Sequence, residues 1–250
     1  MKTLLLALAV FPLFAQNYPD KERVLGEQIA AETRRRSKAL GNTNIEGYAQ
    51  RVGGRIESYV RGRNLVCSYE VVVADASEPM SLMGGHILIP ASFFATVKDE
   101  DEFAVMLAHS IAHIALDHGR QPQQAVNVAS VPLIYMGGWA GLHADPQQTS
   151  LIPRGHLETQ RRHELEADRL GMDLALQAGY DPAALRRYIQ RTQVDARDRR
   201  LTGIDEFLNS AAPVERSSGN DFLRARKEIQ TALAELDRRH QAVPTLRRSQ

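Results

Sequence analysis

Between Phe103 and Ile114 this chain runs through twelve consecutive residues of which only His109, Ser110 and His113 are polar. Phe103, Met106, Leu107, Ile111 and Ile114 keep three- and four-residue spacing, which predicts a helix over Asp101–His118. The acidic run Asp99 to Glu102 suits its amino-terminal end, and Gly119 is placed to stop it. A helix this apolar needs a core around it, and neutral imidazoles inside such a core need partners. The chain can supply the core, because 250 residues at 43% apolar composition suit one ordinary domain with extensions.

The rest of the sequence predicts mostly helix around a small sheet. Val24, Ile29, Ala30 and Thr33 among charges predict an amphipathic helix over Asp20–Lys38, and Tyr48, Val52 and Ile56 another over Ile45–Tyr59. Ser68–Ala74 and Gly85–Pro90 are short β-branched stretches separated by Glu78, Pro79 and the pair Gly84-Gly85, which predicts two strands. A further helix spans His156–Ala178 and is closed by Gly179, and Asp181-Pro182 opens the next. The last runs from Asp221 to about His240 with Phe222, Ile229, Leu233 and Leu236 on one side. It either packs on the domain or binds another protein, and Arg224, Arg226, Lys227 and Glu228 make a solvated face. There is no internal repeat and no linker to a second domain. The fold class is α+β, mostly helical, with one domain over 20–218 and a carboxyl-terminal helix and tail over 219–250.

Charge and cysteine content exclude several functions. Lys and Arg total 31 against 30 Asp and Glu, so the basic surplus expected of a nucleic-acid binder is missing. The single Cys67 rules out an intrachain disulfide and a multi-thiolate metal site. Residues 1–15 carry Lys2, an apolar stretch from Leu4 to Phe14 and Ala15 ahead of Gln16, which reads as a cleavable secretory signal, with an uncleaved anchor as the alternative. The expected location is across the inner membrane, periplasmic or peripheral to the envelope. Residues 125–143 hold no fully charged side chain, but Pro132 and Gly137-Gly138 oppose a straight spanning helix. That stretch is either a buried loop or a segment that touches the membrane or covers the active site.

Chemistry concentrates in two helices. His109 and His113 lie four apart, so a helix sets both rings on one face, about 5–6 Å apart at Cβ, close enough to share a zinc ion. Composition alone would produce such a pair in about a quarter of chains like this, so the apolar setting matters more than the spacing. On the second helix Glu164 and Asp168 also share a face. Glu164 could supply a third ligand and Asp168 could accept a ring N–H from a ligating histidine, fixing its tautomer. The alternative for both carboxylates is a surface salt bridge.

The stretch from Leu107 to His113, followed by His118-Gly119 and then by Glu164-Leu165-Glu166-Ala167-Asp168-Arg169-Leu170-Gly171, resembles the gluzincin metallopeptidases that include HtpX, the CAAX prenyl protease and the periplasmic proteins BepA and LoiP. Their pattern is H-E-x-x-H followed by E-x-x-x-D, usually with A-D-x-x-G inside it. Val24-Leu25-Gly26-Glu27 resembles their amino-terminal helix, and Met80 to Ile87 resembles the strand entrance ahead of their zinc helix. The likeness covers about residues 20–218. It implies one zinc ion per chain held by His109, His113 and Glu164, with Asp168 behind them. It also implies a substrate-binding edge over Gly85, His86, Ile87 and Leu88, where extended or unfolded polypeptide would pair through its backbone. His86 itself reads as an exposed strand residue.

Two departures bear on activity. Where the family has the glutamate that takes a proton from the attacking water and passes it to the leaving amine, this chain has Ser110, whose hydroxyl is no base near neutral pH. Such a group contributes about 10² to 10⁴-fold. Ala212, before Pro213, stands where the family often has a second polar group, a histidine. Three readings follow: a zinc-binding pseudoprotease that grips extended polypeptide, a working zinc endopeptidase in envelope protein quality control with Asp117 or Glu166 standing in as base, and a helical scaffold without metal. Neither substrate identity nor oligomeric state is encoded in a motif.

Overall fold

The computed structural model describes residues 20–36, 38–40, 43–62, 65–74, 76–119, 154–192, 197–211 and 219–241. The expected signal at 1–15, the uncharged stretch 125–143 and the pair Ala212-Pro213 lie outside these residues. Among the described residues no helix is long and apolar enough to cross a membrane.

In chain order the elements are α1 (Asp20–Arg36), β1 (Lys38–Ala39), α2 (Thr43–Glu57), β2 (Ser68–Val73), β3 (Met80–Leu82), β4 (His86–Pro90), α3 (Phe93–Thr96), α4 (Glu100–Ala115), α5 (Arg154–Gln177), α6 (Ala183–Thr192), α7 (Arg197–Ser210) and α8 (Asn220–Gln241). The α+β, mostly helical class expected from the sequence is the class observed. Among the described residues four strands lie in the order β1-β2-β4-β3, with β2 and β4 parallel and the other two pairings antiparallel.

That order corrects one expectation. The strand over Gly85–Pro90 is not an edge: Ile87 pairs with Tyr69 of β2 on one side and Ser81 of β3 on the other, so its backbone groups are already used. The edge on this side of the sheet is β3, joined to β4 by a turn in which Gly84 and Gly85 take φ of 79° and 86°. Two glycines are needed there because side chains strain at positive φ. Gly26 of α1 meets the same turn so closely that a Cβ would lie 1.7 Å from the Met83 carbonyl oxygen.

As its composition demands, α4 runs through the centre of the core, buried from Asp101 to Ile114. Asp99 caps it by accepting from the Glu102 N–H at 2.9 Å, and Glu102 accepts in return from the Lys98 N–H at 2.8 Å. The buried Glu102 carboxylate is neutralised by Arg191 of α6 at 2.6 Å, while Asp101 accepts from the Asp181 N–H at 3.1 Å. Phe93, Phe94 and Tyr48 ring Phe103, and Phe222 of α8 sits 6.3 Å from it. Phe222, Ala225 and Ile229 all belong to this core, so the last helix packs on the domain and extends it past residue 218.

The end of α4 differs from expectation. The helix stops at Ala115, before Gly119, and Asp117 takes the left-handed conformation at φ 54°. His118 N–H donates to the His113 carbonyl at 3.1 Å and Asp117 N–H to that of Ile114 at 3.1 Å, the bond pair of a Schellman cap. The end of α5 has the same pair of bonds around Gly179, at φ 83°, as its sequence suggested.

Candidate metal centre

Helices α4 and α5 pack face to face, and their closest approach is set by Gly171, where a Cβ would lie 2.8 Å from both the N and the Cα of His109. This close packing carries Glu164, two turns earlier on α5, against the two imidazoles. His109 Nε2 lies 3.3 Å from Glu164 Oε2, His113 Nε2 lies 3.5 Å from Oε1, and the two Nε2 atoms are 3.1 Å apart. All three side chains are buried. The surface salt-bridge alternative for Glu164 and Asp168 is therefore not the one realised.

The donor set fits a metal ion. Ligands about 2.0–2.1 Å from a tetrahedral zinc ion sit about 3.3 Å from one another, close to all three observed separations. Glu164 Oε2 is buried without a hydrogen-bond partner, as expected of an atom aimed at a cation. Burial would raise the Glu164 carboxyl, yet His113, His109 and Arg200 hold it well below the usual range. Burial alone would push His109 down, but Asp168 and Glu164 together hold it up at about 9. The two carboxylates thus favour positive charge at this position.

Asp168 lies 2.9 Å from His109 Nδ1. Its carboxylate is gripped in turn by Arg200 of α7, whose Nε donates to Oδ2 at 2.7 Å and whose Nη2 donates to Oδ1. Arg200 is 2% exposed, so this is a buried, two-pronged pair behind the first histidine. No sequence pattern points to Arg200, since a lone Arg 32 residues downstream reads as surface. His118 was noticed only as part of a resemblance, yet it is 2% exposed and its Nδ1 lies 3.0 Å from His113 Nδ1. Its Nε2 lies 3.0 Å from Glu166 Oε2.

Ser110 is buried, its hydroxyl donates to the Met106 carbonyl at 3.2 Å, and its own carbonyl accepts from Ser81 of β3 at 2.8 Å. The hydroxyl is tied back along the helix. The two suggested replacement bases are also misplaced: Glu166 is engaged by His118, behind His113 and away from its Nε2, and Asp117 lies in the cap after the helix has ended. His86 is half-buried, within 2.9 Å of Ser68 Oγ and 3.4 Å of Glu27 Oε2, and so is less exposed than expected.

The fold and this donor set define a metallopeptidase-type domain. A family model for peptidase family M48 matches residues 69–232, and the chain belongs to that family. It is 22% identical to a beta-barrel assembly-enhancing protease of Yersinia pestis, over 84% of this chain and 48% of that protein. It is 21% identical to a protein of the same name from Escherichia coli K12, over 82% of this chain and 47% of the relative. A putative beta-barrel assembly-enhancing protease of Vibrio cholerae is 22% identical over 75% of this chain. The chain spans about half the length of these curated relatives. The resemblance drawn from the motifs is thus borne out at the level of family.

Proposed function

We propose that this chain is a zinc-binding member of its family that works in the cell envelope and holds extended polypeptide, with peptide hydrolysis lost or strongly reduced. His109, His113 and Glu164 would hold the ion. What zinc supplies when bound is Lewis acidity toward a carbonyl oxygen. Asp168, clamped by Arg200, orients His109. The unpaired backbone groups of a sheet edge can bind extended chains, and β3, beside α4 and joined to it through Ser81, is the edge nearest the site. What supports an envelope location is the leader-like stretch 1–15, together with the names of the relatives, which link those proteins to β-barrel assembly.

One observation carries the loss of hydrolysis: the side chain that stands at the family's proton-transfer position is a hydroxyl bonded to the Met106 carbonyl. Nothing at residue 110 can accept a proton from water and return it to the leaving amine. The test is casein cleavage by the zinc-loaded wild type and by Ser110→Glu, each with and without chelator. Wild type should be at or near background, and Ser110→Glu should gain about 10² to 10⁴-fold, the usual contribution of a positioned acid–base group. Robust, chelator-sensitive cleavage by the wild type would refute the proposal. A zinc-loaded, folded Ser110→Glu that stays inactive would show that more than the base is missing.

A further inference from the structure

The second zinc histidine has a support as built as the first, and it comes from residues outside the ligand pattern. Around His109 the support is Asp168 and Arg200. Around His113 it is His118, brought back over the end of α4 by the cap at Asp117. The bond from the His118 N–H to the His113 carbonyl fixes the two residues side by side, and their rings meet at a centroid distance of 5.0 Å and 74° between planes.

For two neutral rings, one arrangement of protons satisfies the contacts. Two Nδ1 atoms 3.0 Å apart must have one donor and one acceptor. Glu166 accepts at His118 Nε2, 3.0 Å away, so that nitrogen carries the His118 proton and Nδ1 is left as acceptor. His113 must then donate from Nδ1, which leaves its Nε2 lone pair facing Glu164 and His109. This arrangement gives each of the two neutral rings a single proton and uses both contacts. Arg162 lies 3.7 Å from the other Glu166 oxygen, completing a line from solvent to ligand.

We propose that His118 and Glu166 are positioning residues of the metal centre, a relay that holds His113 in the tautomer with a free Nε2. The proposal rests on the zinc reading given above. His118, His163 and Glu166 also form a second group of the composition that binds metals. Its geometry argues against that use. The His118 and His163 rings are stacked 4.1 Å apart and 7° from parallel, so an ion in the plane of one ring lies well out of the plane of the other. His163 is better described as a flat wall that keeps the His118 ring upright.

The experiment is zinc affinity by chelator competition on the full chain, for wild type, His118→Ala, Glu166→Ala and His118→Asn. His118→Ala and Glu166→Ala should each weaken binding about 10 to 100-fold, the usual effect of losing such a partner. Asn places an amide oxygen about where Nδ1 stood, so His118→Asn should recover much of the loss, and in that background Glu166→Ala should have little further effect. A merely structural role would not give that pattern. Long-range nitrogen–proton correlations on the metal-free chain add a readout that needs no zinc: His118 should be protonated at Nε2 and His113 at Nδ1. His118 protonated at Nδ1 would overturn the relay. So would alanine variants binding zinc within twofold of wild type, or two zinc ions per wild-type chain with one lost in Glu166→Ala. A wild type that binds no zinc but shows the expected tautomers would refute the zinc reading and leave the proton arrangement standing.

Discussion

Replacing Arg200 tests how the site keeps two carboxylates buried. Arg200 donates to both oxygens of Asp168, at 2% and 4% side-chain exposure respectively, and water has almost no access to take over. Arg200→Met keeps much of the volume and removes the charge, leaving Asp168 with only His109 at 2.9 Å. Breaking a buried pair by deleting one partner costs about 3–5 kcal/mol. At about 2–4 °C per kcal/mol for a chain of this length, the metal-free protein should lose about 6–20 °C in Tm. Zinc would bring more positive charge near Asp168 than the His109 proton it displaces, so the loss should be smaller in zinc-saturated protein. Arg200→Lys, which keeps the charge but not the fork, should fall between. The assay is urea and thermal unfolding at pH 7 with and without metal. The same pair sets an acid limit. Burial alone would raise the Asp168 carboxyl, but Arg200 and then His109 hold it below the ordinary value of about 3.9. Its contribution is therefore complete above that value and is lost as pH falls through the lower folded one, and Arg200→Met should move that loss to higher pH. A metal-free loss under about 1 kcal/mol would refute the reasoning.

Two further outcomes are expected. Gly171→Ala should destabilise the protein by about 1–3 kcal/mol in urea unfolding and weaken zinc binding, because the new methyl meets backbone that cannot yield, 2.8 Å from His109 N and Cα; unchanged stability would show that the helices can separate without cost. Zinc uptake at pH 7 should release about one proton, since Asp168 and Glu164 keep His109 protonated up to about 9 in the absence of a cation. Calorimetry in buffers of different ionisation enthalpy measures this release, and affinity should rise with pH toward 9; uptake without proton release would contradict the proposed state of the pocket.

The sequence revealed more of the ligands than of their supports. Helical spacing is local, so the apolar run around His109 and His113 predicted α4, and E-x-x-x-D on a second helix predicted the face carrying Glu164 and Asp168. Whether the two faces meet depends on Gly171, a packing fact visible only once α5 lies on α4. The edge strand was misplaced because β-branched residues marked Gly85–Pro90, while Met80–Leu82 is three residues long and carries little strand signal. The cap at Asp117 was hidden by Gly119, which has the residue type expected of a helix stop although the left-handed position falls two residues earlier. That shift is what brings His118 over His113. Arg200 lay beyond reach for a different reason: its partner is 32 residues away on another helix, and an isolated arginine carries no periodic signal.

A cation shared by His109, His113 and Glu164 is the centre of the proposed function. Elemental analysis of purified, dialysed protein tests it most directly, comparing wild type with His113→Ala and Glu164→Ala after each has been shown to fold. About one zinc per wild-type chain and almost none in either variant is the predicted result. Wild-type protein without zinc after reconstitution, or variants retaining the full complement, would contradict it.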